Sequence, residues 1–165
     1  MNFHGLEKDS MLNGDGLRVV LWVSGCSNQC KGCQNPQTWD ICSGEKFDMK
    51  AEDLLMSYVS QPWISGVTFS GGDPLYEPNR DTVTKVAWRV KRQYPKKTIW
   101  VYTGYKWEDV KDLPIMEFVD VLVDGKFIKE LADVNYPYAG STNQRLIDVQ
   151  ASLKSGEKVL HQVSN

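Results

Sequence analysis

Histidine is scarce in this sequence of 165 residues, which contains only His4 and His161, both near its ends. The G-x-S-x-G motif of serine hydrolases is missing, and two peripheral histidines cannot easily pair with a serine or cysteine nucleophile. The phosphate-binding motif G-x-x-x-x-G-K-S/T is missing as well. These absences argue against hydrolytic catalysis and against a phosphate-binding loop.

Long apolar runs and a strong excess of one charge are also missing. The longest apolar runs are strand-length, so none spans a bilayer, and the first ten residues lack the apolar core of a signal peptide. The 19 basic and 21 acidic residues leave a net charge of -2, which gives no electrostatic case for nucleic acid or an anionic membrane. We therefore expect a cytoplasmic protein without such partners, whose thiols stay reduced.

Strands and helices alternate along the sequence. We predict parallel strands at residues 17–24, 66–70, 98–103 and 119–124. The first is a nearly continuous apolar run rich in β-branched residues, which is typical of a buried parallel strand. Helices are predicted to begin at Asp48, at Asn79 and near Trp107. Beyond them we predict a strand at 145–148, a helix at 149–155 and a final strand at 158–162.

This order predicts an α/β fold with right-handed crossovers between parallel strands. The length indicates a single domain and is short for a complete (β/α)8 barrel of about 250 residues. Each of the first four strands runs into a glycine-rich or cysteine-rich loop. Ligand sites in α/β proteins lie outside these carboxyl ends, so we expect the functional site there.

Three cysteines, Cys26, Cys30 and Cys33, stand at C-x3-C-x2-C spacing in the long polar loop after the first predicted strand. Three thiolates can hold a four-iron, four-sulfur (4Fe-4S) cluster and leave one iron without a protein ligand. The alternative is structural zinc, which takes four nitrogen or sulfur ligands, and Cys42 could supply the fourth. Three thiols at the mouth of a strand favour the reactive cluster, with Cys42 as a spare thiol.

The cysteine loop, with a later strand that ends in a Gly-Gly-acidic turn, resembles the radical S-adenosylmethionine superfamily. More of the sequence resembles the activating proteins of anaerobic (class III) ribonucleoside-triphosphate reductases. The blocks that carry this resemblance run in order from residue 13 to residue 145: NGDGLR, GCQNPQTW, SGGDPL, WVYTGY, VDVLVDGKF and GSTNQR. Gly32 stands where the superfamily often has an aromatic residue, and we interpret it as a mark of the subfamily.

The resemblance implies a partial (incomplete) β/α barrel with a mainly parallel, curved sheet, formed by residues 1–165 as one radical S-adenosylmethionine domain. It implies that Cys26, Cys30 and Cys33 bind a 4Fe-4S cluster that reductively cleaves S-adenosylmethionine. No catalytic residue is expected beyond these cluster ligands. The residues implied to bind the cofactors are Gly32, Cys33, Gln34, Gly71, Gly72, Asp73, Thr103, Asp124 and Lys126.

The resemblance also implies the target, which is a glycine of the large subunit of an anaerobic ribonucleoside-triphosphate reductase, converted to a glycyl radical. A low-potential electron donor such as flavodoxin is implied as a second partner. Two alternatives stay open: a radical S-adenosylmethionine enzyme that acts on a small molecule, and a non-enzymatic zinc-binding adaptor. An incomplete barrel would leave an open side through which a peptide loop of a partner could reach the cofactor.

Overall fold

A computed structural model describes residues 1–163 as one seven-stranded sheet with four α-helices. The strands are β1 (Asn2–Ser10), β2 (Leu17–Val23), β3 (Glu45–Lys46), β4 (Ile64–Gly71), β5 (Thr98–Tyr102), β6 (Val121–Asp124) and β7 (Arg145–Asp148). The helices are α1 (Met49–Val59), α2 (Arg80–Gln93), α3 (Trp107–Val110) and α4 (Val149–Ser155). No helix in this described part of the chain is long and apolar enough to cross a membrane.

The sheet is mixed, with strand order β3-β1-β2-β4-β5-β6-β7. The four strands in its middle, β2, β4, β5 and β6, pair in parallel, as predicted. The flanking strands β1, β3 and β7 pair antiparallel with their neighbours. The carboxyl ends of the four parallel strands therefore lie along one edge, while the partial barrel stays a prediction.

Three predictions about elements need correction. Residues 2–10 form the strand β1, which we did not predict because Gly5 interrupts its apolar alternation. Its pairing with β2 contains two irregularities. Residues 158–162 form no strand but only an isolated bridge between Leu160 and Ile147. Asn79 precedes α2, but its side chain does not cap that helix and binds the chain elsewhere.

The two faces of the sheet have different coverings. Alternate residues of β2 point to opposite faces, and Val19, Leu21 and Val23 pack against apolar residues of α1 and α2 in the main core. The other face carries a smaller cluster of Trp100, Val121, Val123 and Leu146, against which Tyr138 and Val163 pack. Because no helix contributes to this second cluster, loops cover that face and leave room for a cavity.

Arg18 is fully buried on this second face, although arginine is rarely buried without a partner. Its guanidinium donates to Thr68 Oγ1 at 2.8 Å and to the carbonyl of Val67 at 2.9 Å in β4. It also donates to Thr98 Oγ1 at 2.8 Å in β5 and to the carbonyl of Asp15 at 3.0 Å. Burial lowers the pKa of Arg18 to about 10, so the group stays charged at neutral pH and joins three strands and a loop.

We predict that Arg18→Lys lowers the free energy of unfolding by about 2 kcal/mol or more, because one ammonium cannot reach acceptors spread around a planar guanidinium. Urea denaturation under anaerobic, reducing conditions measures this change. The exposed Arg92→Lys is the control and is expected to leave the unfolding midpoint unchanged. Equal stability of both variants would show that the Arg18 network does not stabilise the sheet.

Candidate cofactor site

A cavity of about 520 Å³ lies at the carboxyl ends of the parallel strands. Its wall combines the cysteine loop after β2, the turn after β4, the end of β5 and the loop that connects β6 to β7. Small-molecule sites usually measure about 300–1,000 Å³ and lie at this end of parallel sheets. The cavity lies at the edge of the sheet where we expect the functional site.

The three cysteines of the motif line this one cavity, and the fourth cysteine does not. Cys26, Cys30 and Cys33 are partly buried free thiols in its wall. Cys42 is an exposed free thiol outside the lining, and its backbone carbonyl accepts a hydrogen bond from Asn2 Nδ2. Cys42 is thus poorly placed to complete a four-thiolate zinc site.

The residues of the cavity fit an iron–sulfur cluster. Within residues 1–163, no three cysteine, histidine, aspartate or glutamate side chains converge where one metal ion could bind. A 4Fe-4S cluster needs no such convergence, because each thiolate binds a different iron, and thiolates are the ligands these clusters use. Trp39 also lines the cavity, and its buried Nε1 has no acceptor in the described chain.

Backbone hydrogen bonds hold the cysteine loop against the residues that follow it. The N–H of Gly25 donates to the carbonyl of Thr38 at 2.7 Å, and that of Cys26 donates to the carbonyl of Trp39 at 3.1 Å. The N–H of Asn35 donates to Cys33 Sγ at 3.4 Å. Burial raises the pKa of the Cys26 thiol. These hydrogen bonds therefore hold the backbone of the cysteine loop in place.

The two glycines at the end of β4, Gly71 and Gly72, are required by a close approach to the chain of β2. Gly71 has φ +107°, and a Cβ there would lie 2.6 Å from the backbone nitrogen of Val23. A Cβ at Gly72 would lie 2.5 Å from the carbonyl oxygen of Gly25. Glycine is required at both positions because β2 and its loop pack directly on this turn.

Asp73 follows the two glycines and is only 2% exposed. Its Oδ1 accepts hydrogen bonds from Thr103 Oγ1 at 2.8 Å and from the N–H of Leu75 at 2.9 Å. Its Oδ2 accepts from the N–H of Gly104 at 2.9 Å and from Asn28 Nδ2 at 3.1 Å. Burial raises the pKa of Asp73, while these four donors partly offset the effect by stabilising the charged form.

The electrostatic character of the cavity is acidic. Its wall contains two carboxylates, Asp73 and Asp133, and no lysine, arginine or histidine from residues 1–163. Among those residues, no cation forms an ion pair with Asp73. A buried carboxylate without a cationic partner is costly, so the cavity favours a positively charged ligand.

The structure gathers most of the site residues that we predicted. Those in the cavity wall are Cys26, Cys30, Cys33, Gln34, Gly71, Gly72, Asp73 and Thr103. Three predicted cofactor-binding residues, Gly32, Asp124 and Lys126, do not line it. Their contact with a cofactor stays a prediction that the cavity does not support.

Asp124 is buried outside the cavity wall and contacts α3 and β7. It is 1% exposed, and its Oδ2 accepts from the N–H of Trp107 at 2.7 Å and from Arg145 Nη2 at 2.5 Å. This ion pair links β6 to β7 and engages the carboxylate. Lys126 and Gly32 are exposed, and a Cβ at Gly32 would lie 3.1 Å from the side chain of Lys129.

Sequence reasoning missed several residues of the cavity wall. Asn28 lies between two of the cysteines, and Trp22 and Tyr102 lie on the strands themselves. Trp22 and Tyr102 share strand parity with the buried Arg18 and Trp100, so alternation along β2 and β5 could have placed them on the cavity face. In the β6–β7 loop, Gln144 belongs to the GSTNQR block, which was noted only as part of the resemblance, and Tyr138 carried no local signal.

The chain matches a family model described as a 4Fe-4S single cluster domain over residues 12–147. It is also similar to proteins named anaerobic ribonucleoside-triphosphate reductase-activating protein. The one from Enterobacteria phage T4 is 43% identical over 146 residues, covering 88% of this chain and 93% of the relative. Those from Vibrio cholerae serotype O1 and Escherichia coli strain K12 are 40% and 38% identical over 148 residues, each covering 87% of this chain and 96% of the relative. The chain belongs to this family of reductase-activating proteins.

Membership in the activating-protein family confirms the resemblance that the sequence motifs indicated. The matched range, residues 12–147, contains every residue that lines the cavity. The description of the family model supports an iron–sulfur cofactor, as the cysteine spacing predicted. The cavity therefore lies within the part of the chain that the family model covers.

We predict that Cys26→Ser, Cys30→Ser and Cys33→Ser each lose most of the iron bound after anaerobic reconstitution, because each removes one of three thiolate ligands. Cys42→Ser is the matched control and is expected to keep the iron content of the unmodified chain, since Cys42 lies outside the cavity wall. Iron and sulfide analysis with the visible absorption spectrum measures the loss. Loss of iron in Cys42→Ser alone would assign the cluster to a different ligand set.

Proposed function

We propose that this protein is the activating enzyme of an anaerobic ribonucleoside-triphosphate reductase and uses a 4Fe-4S cluster and S-adenosylmethionine to generate a glycyl radical on the reductase. The observation that carries the proposal is that three cysteines share one acidic cavity at the carboxyl ends of the parallel strands. The names of the relatives supply the target, and their identity extends over most of the chain.

Cys26, Cys30 and Cys33 would hold the cluster on one side of the cavity. When bound, the reduced cluster supplies the electron that cleaves S-adenosylmethionine to methionine and a 5′-deoxyadenosyl radical. The chain contributes a loop whose backbone is fixed at Gly25 and Cys26, and an apolar, aromatic wall that includes Trp22 and Phe127. Such a wall limits access of water to a reactive radical.

The acidic cavity fits a cofactor that carries positive charge. S-adenosylmethionine has a sulfonium and an ammonium group, against one carboxylate, and is a net cation at neutral pH. Asp73 is the buried carboxylate of the wall and would hold the ammonium, as the resemblance of the Gly71-Gly72-Asp73 turn implies. The same charge disfavours a free nucleotide, because phosphates would meet carboxylates without a basic partner.

The mouth of the cavity suits a protein substrate. Leu12 and Val134 line the cavity and are 81% and 100% exposed, which leaves apolar side chains at its opening. Exposed apolar side chains beside a cavity are typical of a surface that a partner covers. The glycine-bearing segment of the reductase would therefore bind at this opening. A low-potential donor such as flavodoxin would supply the electron.

We predict a glycyl radical signal in the reductase after anaerobic incubation with this protein, S-adenosylmethionine and dithionite. Electron paramagnetic resonance measures the signal, and chromatography measures 5′-deoxyadenosine in the same sample. The reductase with its radical-bearing glycine replaced by alanine is the control and is expected to give no signal. Formation of 5′-deoxyadenosine without a radical on the reductase would favour a small-molecule substrate, and a colourless protein that binds zinc would favour the adaptor.

We predict that Asp73→Asn weakens binding of S-adenosylmethionine about tenfold or more, because the variant loses the buried charge that would hold the ammonium. The matched control is Asp133→Asn, which removes the other, less buried carboxylate of the wall and is expected to weaken binding less. Isothermal titration with the anaerobic, cluster-loaded protein measures both. Equal binding by Asp73→Asn and the unmodified protein would remove Asp73 from the cofactor site.

The raised pKa of Asp73 also predicts a pH dependence of this binding. Only the ionised carboxylate attracts the ammonium, so affinity is full above the raised pKa and falls as the pH drops through it. Asp73→Asn is expected to lack this fall, since asparagine does not titrate. A dependence that is the same in both proteins would assign the titration to another group.

A further inference from the structure

The side chain of Asn28 lies between a predicted cluster ligand and the buried carboxylate of the cavity. Its Nδ2 donates to Asp73 Oδ2 at 3.1 Å and also contacts Cys26 Sγ at 3.7 Å, within hydrogen-bond range for sulfur. Asn28, Cys26 and Asp73 all line the cavity. One amide group thus bridges the cysteine loop and the turn after β4, which are 45 residues apart in sequence.

The sulfur of Cys26 is surrounded by N–H donors. Besides Asn28 Nδ2, the backbone N–H groups of Asn28 and Gln29 act on this sulfur by lowering the pKa of the Cys26 thiol, which burial raises. Gln29 has φ +45°, a left-handed conformation that is uncommon for a residue with a side chain. The loop therefore has an unusual backbone conformation directly after the residue whose amide contacts this sulfur.

The position of the Asn28 amide is fixed from its other side by β5. A Cβ at Gly104 would lie 2.2 Å from Asn28 Nδ2 and 2.8 Å from its Cγ, so the amide packs on the bare backbone of Gly104. The N–H of Gly104 donates to the same oxygen, Asp73 Oδ2, as Asn28 does. Gly104 and Asp73 together leave the amide little freedom to turn away from Cys26.

We propose that Asn28 is a positioning residue that raises the reduction potential of the cluster through its N–H contact with Cys26 Sγ, while Asp73 and Gly104 hold its amide in place. Hydrogen bonds to cluster sulfurs are among the factors that set the potential. A reduced cluster carries one more negative charge, so an N–H donor stabilises it more than the oxidised cluster and makes reduction easier. This inference rests on the proposed function, since it requires the three cysteines to hold a cluster.

The test is a redox titration of the reconstituted protein without S-adenosylmethionine, followed by electron paramagnetic resonance. Asn28→Ala is expected to lower the ratio of reduced to oxidised cluster about three- to tenfold at the potential where the unmodified cluster is half reduced. Ser27→Ala is the matched control, because Ser27 is the exposed neighbour in the same loop and does not line the cavity. It is expected to leave the ratio unchanged.

Gly104→Ala tests the same contact without changing Asn28. The backbone of Gly104 does not have a positive φ, and the atoms nearest to an added methyl all belong to Asn28. The methyl would displace the amide, so we expect the potential to shift in the same direction as in Asn28→Ala. Iron and sulfide content is measured for every variant, so that only loaded protein is compared.

The outcomes separate this inference from the proposed function. An unmodified protein that binds no cluster would overturn both, whereas a cluster whose potential is unchanged in Asn28→Ala and Gly104→Ala would overturn the inference alone. Loss of the cluster in both variants, with Ser27→Ala fully loaded, would also overturn it. The Asn28 amide would then be required for the loop to bind the cluster, and an effect on the reduction potential would not be supported. A negative shift in either loaded variant, absent from the control, supports it.

Discussion

The carboxylate of Asp73 is the interaction on which the site depends. It is buried, and its four donors come from the cysteine loop after β2, from the turn after β4 and from the end of β5. Parallel strands bring their carboxyl ends to one edge of a sheet, but the loops that follow are free to diverge. One acceptor group shared by three of them keeps the loops together and so forms the wall of the cavity.

The cost of that arrangement is a buried negative charge, with no cation from residues 1–163 paired to it. The other two buried charged residues, Arg18 and Asp124, have different partners. Asp124 is paired with Arg145, and Arg18 donates to hydroxyl and carbonyl oxygens of neighbouring strands. Of these three buried charged residues only Asp73 lines the cavity, where a cationic ligand would offset its charge.

The sequence was informative where the signal is local. The apolar runs of β2, β4, β5 and β6 identified the parallel strands, and Asp48 caps α1 through the N–H of Ala51 as its position predicted. It was less informative where a side chain has a distant partner. Asn79, expected to cap α2, donates instead to the carbonyls of Ser24 and Asp73, and β1 was missed because Gly5 interrupts its apolar alternation.

Sequence alone determined the chemistry: three cysteines at C-x3-C-x2-C spacing after a buried strand, and a Gly-Gly-Asp turn after the next parallel strand. These patterns are local, because ligand spacing and turn geometry depend on a few consecutive residues. Only the tertiary structure decided that Asp124 pairs with Arg145, that Cys42 lies outside the cavity and that Asn28 bridges Cys26 and Asp73. Each depends on which strands become neighbours, and pairing between residues far apart in the chain leaves no local pattern.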